Sequence, residues 1–246
     1  MKNLDLGTLF GISVGTGDPD LITVKGLKLL QNTQIIAFPA GINQKLGIAQ
    51  KIIQQWLQPE QITLPLHFPY VTDQAVLTSA WEKSANLVWQ YLQKGQDVAF
   101  ACEGDISFYS TFTHLATTLK QMYPEAKIVT IPGVCSPVAA ASDLGIPLTI
   151  NDQRLTILPA LYTLEQLETA LDNAEVVVLL KVASVYQQVW QILQQRNLLK
   201  HSFVVEKASC SDREIYRNLV NYPNLKLPYF SLLIVDCSLT AQLKSI

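Results

Sequence analysis

Thr8-Leu9-Phe10-Gly11-Ile12-Ser13-Val14-Gly15-Thr16-Gly17-Asp18-Pro19-Asp20 is a short apolar run that ends in a glycine turn and three closely spaced polar or acidic residues. Such a run, closed by glycine and followed by a helix-like segment, reads as a strand feeding a helix, and open α/β sheets bind ligands at strand ends of this kind. The same chemistry returns at Glu103-Gly104-Asp105, after Val98–Ala101. A phosphate site would need backbone N–H groups and a lysine there, because carboxylates repel the anion. Two acidic loops instead suit a ligand with hydroxyls and positive charge, such as the ribose, ammonium and sulfonium of S-adenosylmethionine.

The competing nucleotide patterns fail on particular residues. A dinucleotide fingerprint starting at Gly15 requires a third glycine where Asp20 stands, and an acidic residue further on where Gln34 and its neighbours are uncharged. A P-loop requires lysine after the glycine, but Gly17 is followed by Asp18. A plainer reading of the first loop is a tight turn at Gly15 and Gly17, with Asp18 or Asp20 capping a helix near Leu21.

Composition narrows the classes. The 246 residues, 49% hydrophobic and 15% charged, are enough to bury a large core in one or two domains. A formal charge of −2 gives no general field for nucleic acid or an anionic membrane, so neither is expected as a partner. Cys102, Cys135, Cys210 and Cys237 are scattered, and His67, His114 and His201 lie far apart, so no metal site is expected. Near the amino terminus, Asp5 and Gly7 interrupt the apolar stretch after Lys2, which argues against a signal peptide. The longest candidate membrane span, bracketed by Lys127 and Asp143, contains Pro132, Gly133 and Pro137. A soluble protein of the reducing cytoplasm is the expectation.

Strands are expected at Thr8–Val14, Gln34–Phe38, Gln61–Leu64, Asp97–Ala101 and Ala126–Ile131, with helices at Asn43–Leu57 and after an Asp73 cap. This alternation predicts a mostly parallel sheet covered on both faces. Ser136-Pro137 then opens an alanine-rich helix closed by Gly145. Strands at Leu155–Leu158, Glu175–Leu180, Phe203–Glu206 and Tyr229–Asp236, with helices at Leu164–Leu171 and Ser184–Arg196, make a second α/β unit with a mixed sheet. The expected division is 1–131 and 132–246, near Pro132.

Val14–Gly26 resembles the amino-terminal signature of the tetrapyrrole methylases, S-adenosylmethionine-dependent enzymes that modify uroporphyrinogen-derived rings. Glu103-Gly104-Asp105-Ile106-Ser107-Phe108-Tyr109 and Ile131-Pro132-Gly133-Val134-Cys135-Ser136 resemble the family's next two motifs, in its order and spacing. Leu179-Leu180-Lys181-Val182 and Val205-Glu206-Lys207-Ala208 extend the likeness over nearly the whole chain. Phe38-Pro39-Ala40 stands where members acting on uroporphyrinogen III carry an aspartate regarded as an acid/base, and Pro39 cannot move a proton. Glu103, the Phe108-Tyr109 pair and the last two blocks resemble the branch that methylates C-20 of precorrin-2 in cobalamin synthesis.

The resemblance implies a five-stranded first sheet, a mixed second one, a bent donor in a trough between the domains, and a homodimer. Carried over by position, the donor would meet Thr16, backbone groups of Glu103, Gly104 and Asp105, the side of Phe108, Cys135, Ser136, Leu180 or Lys181, and Ala208. Thr16 replaces a proline of most relatives, which leaves a backbone contact there.

Methyl transfer is an in-line displacement, so alignment and water exclusion can supply much of the acceleration. A base can assist loss of the proton from the methylated meso carbon, and Asp18, Glu103, Asp105 and Tyr109 are the candidates. The acetates and propionates of such a ring call for local cations. Lys25, Arg154, Lys181, Lys207, Arg213 and Arg217 lie in or near the motif segments. Lys25, Arg213 and Arg217 are the selected substrate contacts, the two arginines sharing a face if Ser211–Leu219 is helical. The four tryptophans sit in periodic apolar segments and read as packing. Methylation at another ring carbon, a diphthine-type macromolecule methylase and a noncatalytic nucleotide-binding or dimerisation module are the alternatives.

Overall fold

The computed structural model describes residues 5–41, 46–69, 71–161 and 163–238. Lys2 and the Asn43 start of one expected helix lie outside the described residues. Two compact units meet in sequence at Cys135–Ser136.

The first unit runs β1 (Thr8–Ser13), α1 (Val24–Asn32), β2 (Ile35–Pro39), α2 (Ile48–Ile53), β3 (Ile62–Leu66), α3 (Gln74–Leu92), β4 (Val98–Cys102), α4 (Thr111–Met122) and β5 (Lys127–Ile131). Local sequence starts several of these helices. Thr23 accepts from the Gly26 amide ahead of α1, Asp73 from Ala75 and Val76 ahead of α3, and Ser110 from Phe112 ahead of α4.

All five strands are parallel, in the order β3-β2-β4-β1-β5. The path from β1 to β2 crosses β4 in one direction, and the path from β4 to β5 crosses β1 in the other. Right-handed crossovers then place α1 and α4 on opposite faces. The two core layers agree with this: Leu30, Ala49 and Ile52 pack with Ile12, Ile36 and Ala99, whereas Val88, Phe112 and Leu115 pack with Leu9, Ile35 and Phe100. The chain therefore diverges from the carboxyl ends of neighbouring β1 and β4, which is where an open sheet forms a ligand crevice. Both acidic loops stand there.

The second unit runs α5 (Ser136–Leu144), β6 (Leu155–Leu158), α6 (Leu164–Asn173), β7 (Val176–Leu180), α7 (Tyr186–Gln195), β8 (Ser202–Glu206), β9 (Glu214–Arg217) and β10 (Ser231–Asp236). Its sheet order is β6-β7-β10-β8-β9, parallel only between β6 and β7. The unbroken apolar run of β7 is buried throughout, as a strand covered on both faces requires. Leu167 of α6 and Val189 of α7 pack on one face with Val177, Leu179 and Leu233, and α5 packs against β10. Helix α5 begins at Ser136 itself, one residue ahead of the position a Ser-Pro cap predicts, a difference within the usual fraying of helix ends.

One expectation is overturned. Ser211–Leu219 is not a helix, since Glu214–Arg217 forms β9 and pairs antiparallel with Phe203–Glu206. Main-chain pairing with β8 outweighs the weak local preference of this segment.

That pairing sets Glu206 directly opposite Glu214, with the Tyr216 hydroxyl donating to Glu214 at 2.6 Å. Burial raises the Glu206 carboxyl above its ordinary range, helped by the Glu214 charge and opposed by Tyr216 and Lys207. A carboxyl raised in the fold destabilises the fold when ionised, so the penalty is present at neutral pH and vanishes below the unfolded carboxyl's value, about 4.3. Glu206→Gln is expected to raise the unfolding free energy at pH 7.5 by about 1 kcal/mol, or roughly 2–4 °C in Tm. Thermal melts should show the gain shrinking toward pH 4.

Candidate functional site

The two acidic loops of the first unit are joined through their glycines. Gly15 N–H donates to the Gly104 carbonyl at 3.3 Å, and Gly104 N–H donates to the Gly15 carbonyl at 2.6 Å, an isolated antiparallel bridge. Both glycines have positive φ, +79° and +69°, a region costly for other residues. The bridge commits the Gly104 amide, leaving its Cα face and a carbonyl lone pair for a ligand.

A third loop, after β5, is braced to this pair. Asp105 Oδ2 accepts from the Gly133 amide at 2.7 Å, while Oδ1 accepts from the amide of Ser107 at 2.9 Å and from its hydroxyl. Ser13, fully buried at the end of β1, donates to the Ile131 carbonyl at 2.7 Å and accepts from the Ile106 amide at 2.8 Å. A Cβ on Gly133 would lie 2.5 Å from Ser13 Cβ, so this close approach admits only glycine. Desolvation pushes the Asp105 carboxyl upward, but the Ser107 and Gly133 hydrogen bonds together hold it below its ordinary value. Among the four proton-acceptor candidates, Asp105 is therefore a brace: a low-pKa carboxylate with both oxygens engaged makes a poor base at neutral pH.

The remaining first-unit candidates take distinct places. Asp18 accepts from Asp20 N–H at 2.9 Å and caps the short 3-10 helix Pro19–Leu21, whereas the helix the plainer reading placed near Leu21 starts at Val24 with Thr23 as its cap. Thr16, Glu103 and Phe108 are half-buried along the bridged loops, and Cys135 is half-buried at the end of the third. Tyr109 is exposed, at φ +49°, with its ring edge-on to Phe108 at 4.7 Å. Lys25 is exposed on the first turn of α1. Burial pushes the Cys102 thiol up to about 12, so it is inert as a nucleophile near neutrality.

In the second unit, β7 and β8 both run antiparallel to β10, which gathers their carboxyl ends and the segment before β10 at one edge. Leu180 and Ala208 are buried there, and Lys181 is exposed. The Lys207 amide donates to the Phe230 carbonyl at 2.7 Å. Seven described non-glycine residues have left-handed backbone; three are asparagines, and the other four are Tyr109, Lys181, Lys207 and Ser209. All four follow β4, β7 or β8, three of them within the motif segments and Ser209 one residue beyond. Strain of this kind persists where surrounding structure holds it, and it gathers at ligand sites.

Arg213 and Arg217 serve the fold. Arg217 Nη2 donates to the Leu144 carbonyl at 2.6 Å, and Arg213 Nε lies 3.2 Å from Asp143 Oδ1. Both cations thus sit at the carboxyl end of α5, where the helix dipole favours them. Asp143 Oδ2 also accepts from the Ser209 amide at 2.7 Å, latching the loop after β8 to the helix. Ser136 begins the opposite end of α5, roughly 10 Å away at 1.5 Å per residue. Asp143→Ala is expected to cost about 1–3 kcal/mol in urea unfolding, because it removes the Ser209 acceptor and the partner of Arg213. Asp143→Asn keeps an acceptor and should cost less than half as much.

Sequence reasoning did not identify Ser13, Asp143, Tyr229 or Phe230. Ser13 had a visible signal, a hydroxyl between Ile12 and Val14 at the end of a largely apolar run. Among the described residues no group of three or more histidine, cysteine or acidic side chains could hold a metal ion, and no helix is long and apolar enough to cross a membrane.

Comparison with known proteins gives matches of the same kind. The family model for Tetrapyrrole (Corrin/Porphyrin) Methylases matches residues 8–221. The Cobalamin biosynthesis protein CobIJ of Mycobacterium tuberculosis is 30% identical over 92% of this chain, which spans 45% of that protein's length. A Precorrin-2 C(20)-methyltransferase from Sinorhizobium is 28% identical over 96% of this chain and 97% of its own length. A Cobalt-precorrin-2 C(20)-methyltransferase of Salmonella typhimurium is 29% identical, covering 94% and 96%. The solved structure of a cobalt precorrin-4 methyltransferase shares the fold, with TM-score 0.71 over 94% of this chain and 95% of its own at 23% identity. Uroporphyrin-III C-methyl transferase from Thermus thermophilus, solved with S-adenosylhomocysteine, has TM-score 0.63 at 16% identity, covering 96% and 100%. With its model matched across both units, the chain belongs to the tetrapyrrole (corrin/porphyrin) methylase family.

Proposed function

We propose that this protein transfers a methyl group from S-adenosylmethionine to C-20 of precorrin-2, or of its cobalt form, in cobalamin biosynthesis. The observation that carries the reading is the nearly end-to-end match to the Sinorhizobium protein of that name. The chemistry of the first unit's loops agrees with a cationic, hydroxyl-bearing donor, since they offer glycine turns and the carboxylates of Asp18 and Glu103 at the crevice beside β1 and β4.

The donor, when bound, supplies a methyl carbon activated on a sulfonium. Thr16, Glu103, Gly104, Asp105, Phe108 and Cys135 are the proposed contacts from the first unit; Ser136, Leu180, Lys181 and Ala208 are those from the second. The chain's own task is positional. The Gly15–Gly104 bridge and the Asp105 brace hold three loops in register before any ligand arrives, so little ordering remains to be done on binding. Asp18, Glu103 and Tyr109 remain the candidate proton acceptors. A homodimer, as the resemblance implies, and a cytoplasmic location, as the scattered thiols suggest, belong to the same proposal, and sedimentation would test the oligomer.

Incubation with [13C-methyl]-S-adenosylmethionine and each ring form, followed by NMR, tests the reading. One new methyl at C-20 is expected. A methyl at another carbon would overturn the positional assignment, and none on either ring would overturn the methyltransferase reading.

A further inference from the structure

The regular pairing of β1 runs out at its carboxyl end, where β5 pairs as far as Ile131 with Ile12 and β4 as far as Cys102 with Ser13. The Ser13 side chain takes over there. Its Oγ accepts from the Ile106 amide in the loop after β4 at 2.8 Å and donates to the Ile131 carbonyl at 2.7 Å. Each bond holds a peptide inside a motif segment: Asp105–Ile106 in the second and Ile131–Pro132 in the third. Pro132 has no N–H, so the Ile131 carbonyl is the hydrogen-bonding group that its peptide offers. A hydroxyl has one proton to give, and with that proton committed to Ile131 its rotation is fixed. Ser13 is fully buried, and the bond from Gly133 to Asp105 spans the same pair of loops. The gap between the second and third motifs is thus tied twice, once by each side chain.

We propose that Ser13 is a positioning residue of the donor site: its hydroxyl fixes the loops after β4 and β5 relative to each other and so sets the affinity for the methyl donor. This rests on the reading of those loops as the donor's seat. Fully buried, Ser13 acts through the loops rather than by contact. A loop held before the ligand arrives loses little freedom on binding, whereas a loop released from its tie must be ordered at that moment, which weakens affinity. Because Ser13 and Asp105 act across one gap, their effects are coupled rather than independent.

Calorimetric titration with S-adenosylhomocysteine compares Ser13→Ala with Thr33→Val, and thermal melts report the structural cost of each. Thr33 is also buried in the first unit and its hydroxyl donates to the Leu29 carbonyl at 2.7 Å, but it lies ahead of β2, at the opposite end of the parallel strands from the crevice. Ser13→Ala should raise the Kd about tenfold, while Thr33→Val should stay within about twofold of wild type whatever it loses in Tm. Ser13→Ala combined with Asp105→Ala should lose about 20- to 30-fold, well short of the product of the two single losses. Should Ser13→Ala fail to fold, Ser13→Cys, which keeps a weak donor and acceptor, carries the test with an expected loss of about fivefold, and binding within about twofold overturns the proposal. Ser13→Ala binding within about threefold of wild type, an equal loss in Thr33→Val, a double variant that reaches the full product, or no binding by the wild type would each overturn it as well. If the affinities come out as expected but the wild type methylates neither ring form, the C-20 reading fails and the role of Ser13 stands.

Discussion

Asp105→Ala is expected to lower the methyl-transfer rate by about 100-fold. Its carboxylate accepts from Gly133 and Ser107 and so ties the loop after β4 to the loop after β5. Removing it takes away the acceptor of three part-buried hydrogen bonds, each worth about 0.5–1.5 kcal/mol. It also frees the two loops proposed to hold the donor to drift, and a misplacement near 1 Å can cost about 100-fold in an aligned displacement. Asp105→Asn, which keeps one acceptor, should lose roughly a tenth as much activity. The sign of the acid response follows from the depressed carboxyl. A group held below its unfolded value stabilises fully above about pH 3.9 and loses that contribution as pH falls through the folded value. Acid titration of the wild type against Asp105→Asn should therefore converge below pH 4, with the difference intact at pH 7. Steady-state kinetics and equilibrium unfolding together check both halves.

Phe100→Ala should give the largest loss of stability, about 3–5 kcal/mol in chemical denaturation. Phe100 is fully buried on β4, a strand with neighbours on both sides. Its ring lies 5.5 Å from Phe112 and meets Phe68 edge-on at 6.3 Å. The cavity would open under the α3 and α4 layer, where neither element can collapse without breaking its register on the sheet. Because β4 carries the Glu103-Gly104-Asp105 loop, a weakened strand should also soften donor binding. A variant that loses less than about 1 kcal/mol would show that this layer repacks freely.

The strands were legible wherever one local pattern was enough. The run Val176–Leu180 has no polar residue, and its short length and three β-branched valines mark it as a strand covered on both faces rather than a buried helix. Asp73 ahead of α3 and the alanine-rich stretch ahead of Gly145 carried their helix boundaries in the same way. β9 was not legible, because the four-residue spacing of Arg213 and Arg217 fits a helix turn and a strand alternation equally well. Its choice is made by β8, which is distant in sequence.

The candidate site divides along the same line. The acidic glycine loops could be read because glycine and aspartate impose their turn and charge locally. What those groups do depends on partners far along the chain: Asp105 meets Gly133 28 residues later, and Asp143 meets Ser209 66 residues later. The left-handed positions at Tyr109, Lys181, Lys207 and Ser209 leave no mark in the sequence, since nothing in those residue types announces a positive φ.

Isothermal titration of the wild-type chain with S-adenosylhomocysteine bears most directly on the claim that these bridged acidic loops hold a methyl donor. One ligand per chain, with a Kd in the micromolar range and at least tenfold weaker binding to Asp105→Ala, is the expected result. A folded wild-type chain that gives no heat with either S-adenosylhomocysteine or S-adenosylmethionine would contradict it.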